Sequence, residues 1–194
     1  IQCLVLKHPP KTFNVYEDEI QYLITHEQRN NFIKNLALDM NGNTLILYSR
    51  VESHGQILYD RINNDKEGDR KIFFIHGGVD AEERELVREI TEKESNAIIV
   101  ASYGTFSTGI NIKNLHNVIF SSPSKSRIRN LQSIGRVLRK GKDKVKATLY
   151  DIADDCSTKN KRNYTLNHFI ERIKIYNEEK FNYEIISIKI RGGI

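Results

Sequence analysis

The sequence has no long apolar run and very few cysteines. Hydrophobic residues make up 39% of its 194 residues, and no stretch approaches the roughly 20 apolar residues that a membrane helix needs. We therefore expect no membrane segment. Cys3 and Cys156 are far apart in the sequence and have no companion ligands at metal spacing. This pattern favours reduced thiols in a cytoplasmic protein over a disulfide or a metal site.

Two signatures of phosphate and metal binding are also missing. The sequence contains no G-x-x-x-x-G-K-[ST] loop, and no Asp-Glu pair follows a buried strand. We therefore expect that this chain does not by itself cradle β- and γ-phosphates or hold Mg²⁺. Asp154 and Asp155 do follow a strand-like run, and we interpret them as a cap or a turn. The chain begins without Met in a strand-like run, residues 1–7, so we expect a fragment of a longer protein.

Positive charge is unevenly distributed along the chain. The formal net charge is +5, yet residues 125–146 contain nine basic side chains and one acidic one, Asp143. The basic residues are Lys125, Arg127, Arg129, Arg136, Arg139, Lys140, Lys142, Lys144 and Lys146. Such a cluster favours a polyanionic partner. A solvated basic turn is the alternative, and we prefer it for residues 141–144.

Short apolar runs alternate with helical patterns over most of the chain. The strand-like runs are residues 44–48, 71–75, 97–101, 117–120 and 147–151. Helical spacing occupies residues 26–40, 52–62, 80–94 and 126–138, and Asp80 with Glu83 matches an N-cap pattern. This order predicts an α/β fold with a doubly wound, mostly parallel sheet and helices on both faces. Ligands of such sheets bind at the carboxyl ends of the strands.

The ends of the chain predict additional elements. We interpret residues 1–25 as a strand and a connector from a preceding domain, and residues 26–155 as the core domain. Residues 156–194 form a C-terminal extension with a helix at 163–180 and a strand at 183–190. The helix carries one apolar stripe, formed by Leu166, Phe169, Ile170, Ile173 and Tyr176.

The octet Gln132-Ser133-Ile134-Gly135-Arg136-Val137-Leu138-Arg139 is the most informative segment. On a helix, Gln132, Arg136 and Arg139 occupy positions i, i+4 and i+7 and share one face. Guanidinium groups suit phosphate because they stay charged and form forked hydrogen bonds. An amphipathic surface helix with two solvated arginines explains the same pattern, and the octet alone leaves both interpretations open.

Small, hydroxyl-bearing or basic residues follow three of the predicted strands. These groups are Ser49-Arg50, His76-Gly77-Gly78 and Ser102-Tyr103-Gly104-Thr105. Backbone N–H groups beside glycine and side-chain hydroxyls bind sugar-phosphate chains without reading their sequence. Any one of these residues has a loop or cap as its alternative role. For His76 we favour an imidazole that bonds a neighbouring backbone group.

The order of these stretches resembles the second RecA-like domain of superfamily-two helicases. The similarity spans roughly residues 43–152, and it also includes Thr108-Gly109-Ile110-Asn111. The stretches look like helicase motifs IV, IVa, V and VI, of which the arginine-bearing octet is the most specific. Within the superfamily, residues 98–155, the terminal helix and residues 179–183 look most similar to the phage UvsW-type recombination helicases.

The resemblance implies a role for each matching residue. Arg136 and Arg139 would be catalytic arginines at the γ-phosphate of ATP, with Gln132 orienting them or the attacking water. Gly109 and Asn111 would bind the nucleotide near the ribose and triphosphate, although many relatives have Asp at position 111. The residues implied to contact the nucleic-acid backbone are Arg50, Gly77, Ser102 and Thr105, with Tyr103 as a rival for Ser102. The cofactor would be ATP with Mg²⁺, held mainly by an N-terminal RecA-like domain of the same protein.

The resemblance thus implies the C-terminal motor domain of an ATP-dependent DNA helicase or translocase. Its partner would be single-stranded or branched DNA in recombination and repair, and a phage-encoded relative would act in the host cytoplasm. This chain alone is expected to be inactive as an ATPase. One alternative is a free-standing, non-catalytic RecA-like module that binds nucleic acid. A nucleotide-sugar transferase domain shares the strand-helix alternation but explains neither arginine.

Overall fold

The computed structural model describes residues 1–107, 112–122 and 147–190. Within these ranges the strands form one sheet in the order β3-β4-β2-β5-β6-β1-β7. The strands are β1 (Gln2–Lys7), β2 (Thr44–Tyr48), β3 (Ile72–Ile75), β4 (Ile98–Ser102), β5 (Asn117–Phe120), β6 (Thr148–Asp155) and β7 (Glu184–Lys189). The α-helices are α1 (Tyr16–Thr25), α2 (Glu27–Asp39), α3 (Ile57–Asp65), α4 (Ala81–Lys93), α5 (Tyr103–Ser107) and α6 (Tyr164–Glu178). Each strand pair is parallel.

The apolar runs of the sequence lie at the centre of this sheet. All five predicted core strands are present, and β2 and β5 have the predicted bounds. Successive side chains of a strand point to opposite faces, so Val5 belongs to one apolar core and Leu6 to the other. Helices α4 and α6 cover the first core, whereas α2 and α3 cover the second. The predicted doubly wound α/β fold is therefore confirmed.

Two helices begin with a capping side chain, and the sequence predicted one of these caps. Asp80 accepts a hydrogen bond from the Glu83 N–H at 2.8 Å, which confirms the predicted N-cap of α4. At α2 the cap is His26, whose Nδ1 accepts from the Arg29 N–H at 3.3 Å. Each cap satisfies a backbone donor that the first turn of a helix leaves unpaired. Burial, followed by the neighbouring His8, lowers the pKa of His26, which favours the neutral ring that this cap requires.

Two local features differ from the sequence-based expectation. The predicted helix at 52–62 begins as a π-helix, Val51–Gln56, before α3. Gly55 lies there against the Tyr48 ring, and a Cβ atom at this position would be 2.4 Å from the ring. Helix α1 was expected to be part of a polar connector. Its acidic first turn suits a helix N-terminus, and its buried Ile20, Leu23 and Ile24 have helical spacing, so the local signal was present and was overlooked.

Asp154 lies inside strand β6, so our interpretation of this residue as a cap or a turn is wrong. Asp155 is the last residue of β6, and its Oδ1 accepts a hydrogen bond from the Ser157 N–H at 3.0 Å, which is the pattern of an Asx turn. Strand β6 continues through both residues and pairs with β1 as far as Lys7. A fully buried carboxylate is tolerated at Asp154 because Arg29 donates to it from Nε at 2.8 Å and from Nη2 at 2.9 Å. The His8 Nε2 atom lies 2.8 Å from the same carboxylate. These partners compensate the desolvation of the charge.

The two ends of the chain pack against the same sheet. Strand β1 lies between β6 and β7, so residues before and after the predicted core share one hydrogen-bonded layer. Helix α6 buries Phe169 and Tyr176 of the predicted stripe. The periodicity did not predict that Arg172 is buried beside them, in a bidentate pair with Asp151 at 2.8 and 2.9 Å. The division of the chain at residues 25 and 155 stays a prediction.

Both cysteines are free thiols inside apolar clusters. Burial raises the pKa of Cys3 to about 12 and also raises the pKa of Cys156 above its ordinary value. Over residues 1–107, 112–122 and 147–190, no helix combines the length and apolar character that a membrane crossing requires. In the same ranges, His, Cys, Asp and Glu side chains form no group of three or more that could hold a metal ion.

Candidate nucleic-acid interface

Three neighbouring strands bring the predicted backbone-contacting residues to one edge of the sheet. Strands β3, β4 and β2 are adjacent, and Tyr48 of β2 lies in register with Ser102 of β4. Because neighbouring strands are about 4.8 Å apart, the first and third strand ends lie about 10 Å from each other. Gly77 and Arg50 each follow the last residue of their strand by two positions. We refer to Arg50, Gly77, Ser102 and Thr105 together as the strand-end cluster.

The strand order itself favours a ligand at this edge. After β2 the chain forms β3 and β4 on one side of β2, and it then crosses to form β5 on the other side. In doubly wound sheets, ligands bind in the crevice at the carboxyl ends of the strands where the order reverses. The ends of β4, β2 and β5 flank this reversal. The strand-end cluster therefore lies where the fold leaves a crevice.

Ser102 and Thr105 form one hydrogen-bonded unit. Their hydroxyl oxygens are 2.7 Å apart, and the Thr105 N–H donates to Ser102 Oγ at 3.2 Å. Ser102 is partly exposed, whereas Thr105 is only 5% exposed. The geometry favours Ser102 as the residue that meets a phosphate and Thr105 as the residue that orients its hydroxyl. The rival, Tyr103, is buried against Phe120 with a distance of 5.6 Å between ring centroids.

The loop after β3 presents its backbone to solvent. Gly77 is exposed, and no atom lies within 4 Å of the position that a Cβ would occupy. Its carbonyl accepts a hydrogen bond from Arg84 Nη2 at 3.2 Å. The ring of His76 accepts from the Gly78 N–H at 3.1 Å, which confirms the backbone-satisfying role that we favoured for this histidine. The loop is thus held in place while Gly77 remains open to close approach.

Arg50 is held by a carboxylate from a distant helix. Its guanidinium pairs with Glu17 in the first turn of α1, and both side chains are substantially exposed. The Arg50 carbonyl accepts from the N–H groups of His54 at 3.2 Å and Gly55 at 2.8 Å, which ties the backbone to the π-helix. A guanidinium in this position can form forked bonds to a phosphate. Such a phosphate would have to displace Glu17.

Replacing Glu17 with Gln is therefore expected to tighten nucleic-acid binding. The substitution removes a negative charge that competes with phosphate for Arg50, and an exposed ion pair contributes only about 0–1 kcal/mol. We expect an affinity gain of up to about fivefold, which corresponds to the upper end of that energy range. Fluorescence anisotropy with a labelled oligonucleotide would measure it. Glu89→Gln on α4 is the charge-matched control, and an equal gain in both variants would contradict a specific effect at Arg50.

Sequence reasoning missed Ser121 and Ser122, which follow β5 at the same edge. Ser122 Oγ accepts from the Ser49 N–H at 3.3 Å and lies 2.9 Å from His54 Nδ1. Arg29 Nη2 donates to the Ser121 carbonyl at 2.8 Å. These bonds connect the end of β5 to the backbone beside Arg50. A pair of hydroxyl residues after a predicted strand was the available signal, and it matches the pattern used for Ser102.

The residues implied for ATP have a different status. Gln132, Arg136 and Arg139 lie outside the described residues, as do Gly109 and Asn111. Their roles stay predictions.

Comparison with known protein families defines the class. Residues 27–141 match the model of the helicase conserved C-terminal domain. This region covers more than half of the 194 residues. The chain belongs to this family.

Particular relatives agree with this assignment. Over 188 residues the chain is 38% identical to the ATP-dependent DNA helicase uvsW of Enterobacteria phage T4, a match covering 90% of this chain and 37% of that protein. It is 32% identical over 160 residues to a putative ATP-dependent RNA helicase, L396, of Acanthamoeba polyphaga mimivirus, covering 80% of this chain and 28% of that protein. The chain thus spans about a third of the length of these relatives.

Solved structures share the fold. The crystal structure of T4 UvsW superposes with a TM-score of 0.82 at 36% identity, covering 97% of this chain and 41% of that one. The C-terminal domain of the DEAD-box protein Dbp5 gives a TM-score of 0.63 at 15% identity, with 96% and 90% covered. The second similarity concerns the fold alone. The resemblance to a second RecA-like helicase domain of the UvsW type is confirmed.

Proposed function

We propose that this chain is the C-terminal motor domain of an ATP-dependent DNA helicase or translocase that acts on single-stranded or branched DNA in recombination and repair. The observation that carries the proposal is the strand-end cluster, in which three adjacent strands present Arg50, Gly77 and Ser102 at one edge. DNA is chosen because the relative with the higher identity, from phage T4, is named a DNA helicase. The site of action is the host cytoplasm.

The strand-end cluster suits a polymer that must be held without being read. Arg50 supplies a positive charge, Ser102 supplies a hydroxyl group, and the Gly77 loop supplies exposed backbone. All three bind phosphate rather than base edges. Contacts of this kind fix the position of a strand and carry no sequence information. A motor that moves along DNA of any sequence requires this property.

ATP chemistry is assigned to residues outside the described ranges, together with a second domain. In this proposal an N-terminal RecA-like domain of the same protein binds ATP and Mg²⁺. Arg136 and Arg139 stabilise the charge that develops on the transferred phosphoryl group. Gln132 orients them or the attacking water, while Gly109 and Asn111 contact the nucleotide. Closure and opening of the two domains would then move the strand-end cluster along one DNA strand.

ATPase measurements on this chain and on the full-length protein test the proposal. We expect the full-length protein to hydrolyse ATP and to be stimulated by single-stranded or branched DNA, because both domains complete the catalytic site. This chain alone should have no ATPase activity above background. A full-length protein that binds DNA but hydrolyses no ATP would contradict the proposal and favour the non-catalytic module. Equal stimulation by RNA would contradict the choice of DNA.

A further inference from the structure

A second basic surface lies at the carboxyl ends of β1 and β6. It is a small, open pocket, and the cationic side chains that line it are Lys11, Lys161 and Arg162. The remaining lining residues are Thr12, Phe13, Glu19, Asn163 and Tyr164. We call it the Lys-Arg pocket. It involves none of the residues that the sequence pattern assigned to ATP or to DNA.

The cations of the Lys-Arg pocket have no acidic partner among the ion pairs of the described residues. The two segments that form it, residues 8–16 and 156–164, contain no Asp or Glu. Aromatic rings support two of the ammonium groups, since Lys11 Nζ lies 4.7 Å from the Tyr22 ring centroid and Lys161 Nζ lies 5.3 Å from that of Tyr164. These contacts leave the positive charges available to an anion.

The one carboxylate in the lining, Glu19, does not neutralise these cations. Its side chain is fully buried and accepts hydrogen bonds from the first turn of α6. The donors are Asn163 Nδ2 at 2.7 Å, the Tyr164 N–H at 2.7 Å, the Thr165 N–H at 2.8 Å and the Thr165 hydroxyl. The Glu19 charge is thus compensated by helix donors. The pocket keeps an excess of positive charge.

Backbone hydrogen bonds hold the two walls of the pocket together. The Lys11 N–H donates to the Cys156 carbonyl at 3.0 Å, which joins the segment after β1 to the segment after β6. Within the second segment, the Thr158 N–H donates to the Lys161 carbonyl at 3.0 Å, and the Cys156 N–H donates to Asn163 Oδ1 at 3.0 Å. The backbone that carries these cations is therefore ordered before any ligand binds.

The Lys-Arg pocket and the strand-end cluster lie at the same edge of the sheet. In a parallel sheet the ends of β1 and β6 lie at the same edge as those of β2, β3 and β4. The first turn of α1 touches both sites, because Glu17 pairs with Arg50 and Glu19 bonds Asn163. The Cα atoms of residues i and i+2 in a helix are about 5 Å apart. The first turn of α1 thus contributes one residue beside each basic surface.

We propose that the Lys-Arg pocket binds backbone phosphates of the same nucleic-acid strand that crosses the strand-end cluster. The inference rests on the proposed function, which supplies the strand. Lysine offers a point charge and arginine a forked donor, and both address phosphate oxygens without selecting a base. The pocket would extend the surface of this domain that contacts the strand. A strand too short to reach beyond the strand-end cluster would not contact the pocket.

Binding of two labelled single-stranded DNA oligonucleotides to the full-length protein tests this inference. One oligonucleotide has about 6 nucleotides and the other about 16, within the range of single-strand site sizes. In the Lys11→Ala/Lys161→Ala/Arg162→Ala variant, we expect the affinity for the longer strand to fall about tenfold or more at ~0.1 M salt. The slope of log K against log salt should decrease by about 2, because three phosphate contacts are lost. Binding of the short strand should stay within about twofold of the wild type.

The control variant, Lys71→Ala/Lys93→Ala/Lys113→Ala, removes the same charge from exposed positions at the opposite edge of the sheet. It should bind both oligonucleotides nearly as the wild type does. Equal losses in the two triple variants, or unchanged binding of the longer strand by the pocket variant, would overturn the inference. Arg50→Ala separates the two proposals. If Arg50→Ala weakens binding of the short strand while the pocket variant changes neither strand, the inference fails and the proposed function stands.

Discussion

Replacing Arg136 or Arg139 with Ala in the full-length protein is expected to lower kcat for ATP hydrolysis by about 10³-fold or more. Arginines that stabilise the charge developing during phosphoryl transfer contribute about 10³ to 10⁵ in rate. DNA affinity should change little, because the strand-end cluster and the Lys-Arg pocket carry the contacts with the strand. Steady-state ATPase kinetics at saturating DNA, together with oligonucleotide binding, would measure both properties.

The matched control for these arginines is Arg88→Ala. Arg88 lies on α4 and pairs with Glu85 and Glu92 of the same helix, so its loss affects only a surface ion-pair cluster. The kcat of the Arg88→Ala variant should stay within about twofold of the wild type, since surface ion pairs contribute little to stability. Near-normal ATPase activity in both Arg136→Ala and Arg139→Ala would reject their catalytic assignment. Loss of DNA binding together with ATPase activity would assign them to the strand instead.

Replacing Asp154 with Ala is expected to lower the free energy of unfolding by about 3–5 kcal/mol. Asp154 and Arg29 are both fully buried, and removal of one partner leaves an uncompensated charge inside the protein. The neighbouring Asp155 provides the control, because it pairs with a partly exposed lysine, Lys7. For Asp155→Ala we expect a smaller loss of about 1–2 kcal/mol, because it removes this ion pair and the acceptor of the Ser157 N–H. Urea unfolding of the variants and the wild type would measure the difference.

The Asp154 carboxylate should make the free energy of unfolding depend on pH in the acid range. Burial raises the pKa of Asp154, but the charge of Arg29 and the hydrogen bonds from His8 and Arg29 outweigh it and hold the pKa below its ordinary value. The stabilisation is therefore fully present above the unfolded pKa of about 3.9. It is lost as the pH falls through the lower, folded pKa. In Asp154→Asn, the free energy of unfolding should therefore depend less on pH in the acid range. An unchanged dependence in this range would contradict the pairing of Asp154 with Arg29.

Much of the fold was predictable because its signals are local. The runs at residues 44–48 and 117–120 are short, apolar and bounded by polar residues, and the structure places strands with the same limits there. The cap at Asp80 was readable because its partner is three residues away. Helix α1 was overlooked, although its buried Ile20, Leu23 and Ile24 have the spacing of an amphipathic helix.

The candidate site was predictable in part. The pattern of small and basic residues after strands singled out Arg50, Gly77 and Ser102, and the parallel strands place these positions at one edge. Their roles stay predictions. The different exposures of Ser102 and Thr105 were not predictable, because they depend on how α5 packs beneath the strand end. Glu17 had no local signal at all, since its pairing with Arg50 spans 33 residues.

The sequence by itself determined most of the element types, the doubly wound order and the arginine-bearing octet, because periodicity, capping and motif spacing operate over a few residues. Only the tertiary structure decided which charges meet. Asp154 reaches Arg29 across 125 residues, and Glu19 reaches Asn163 across 144. The strand order β5-β6-β1 places the chain after β1 beside the chain after β6, which brings Lys11 to Lys161. Electrostatic contacts depend on distance in space, and that distance exists only once the sheet has formed.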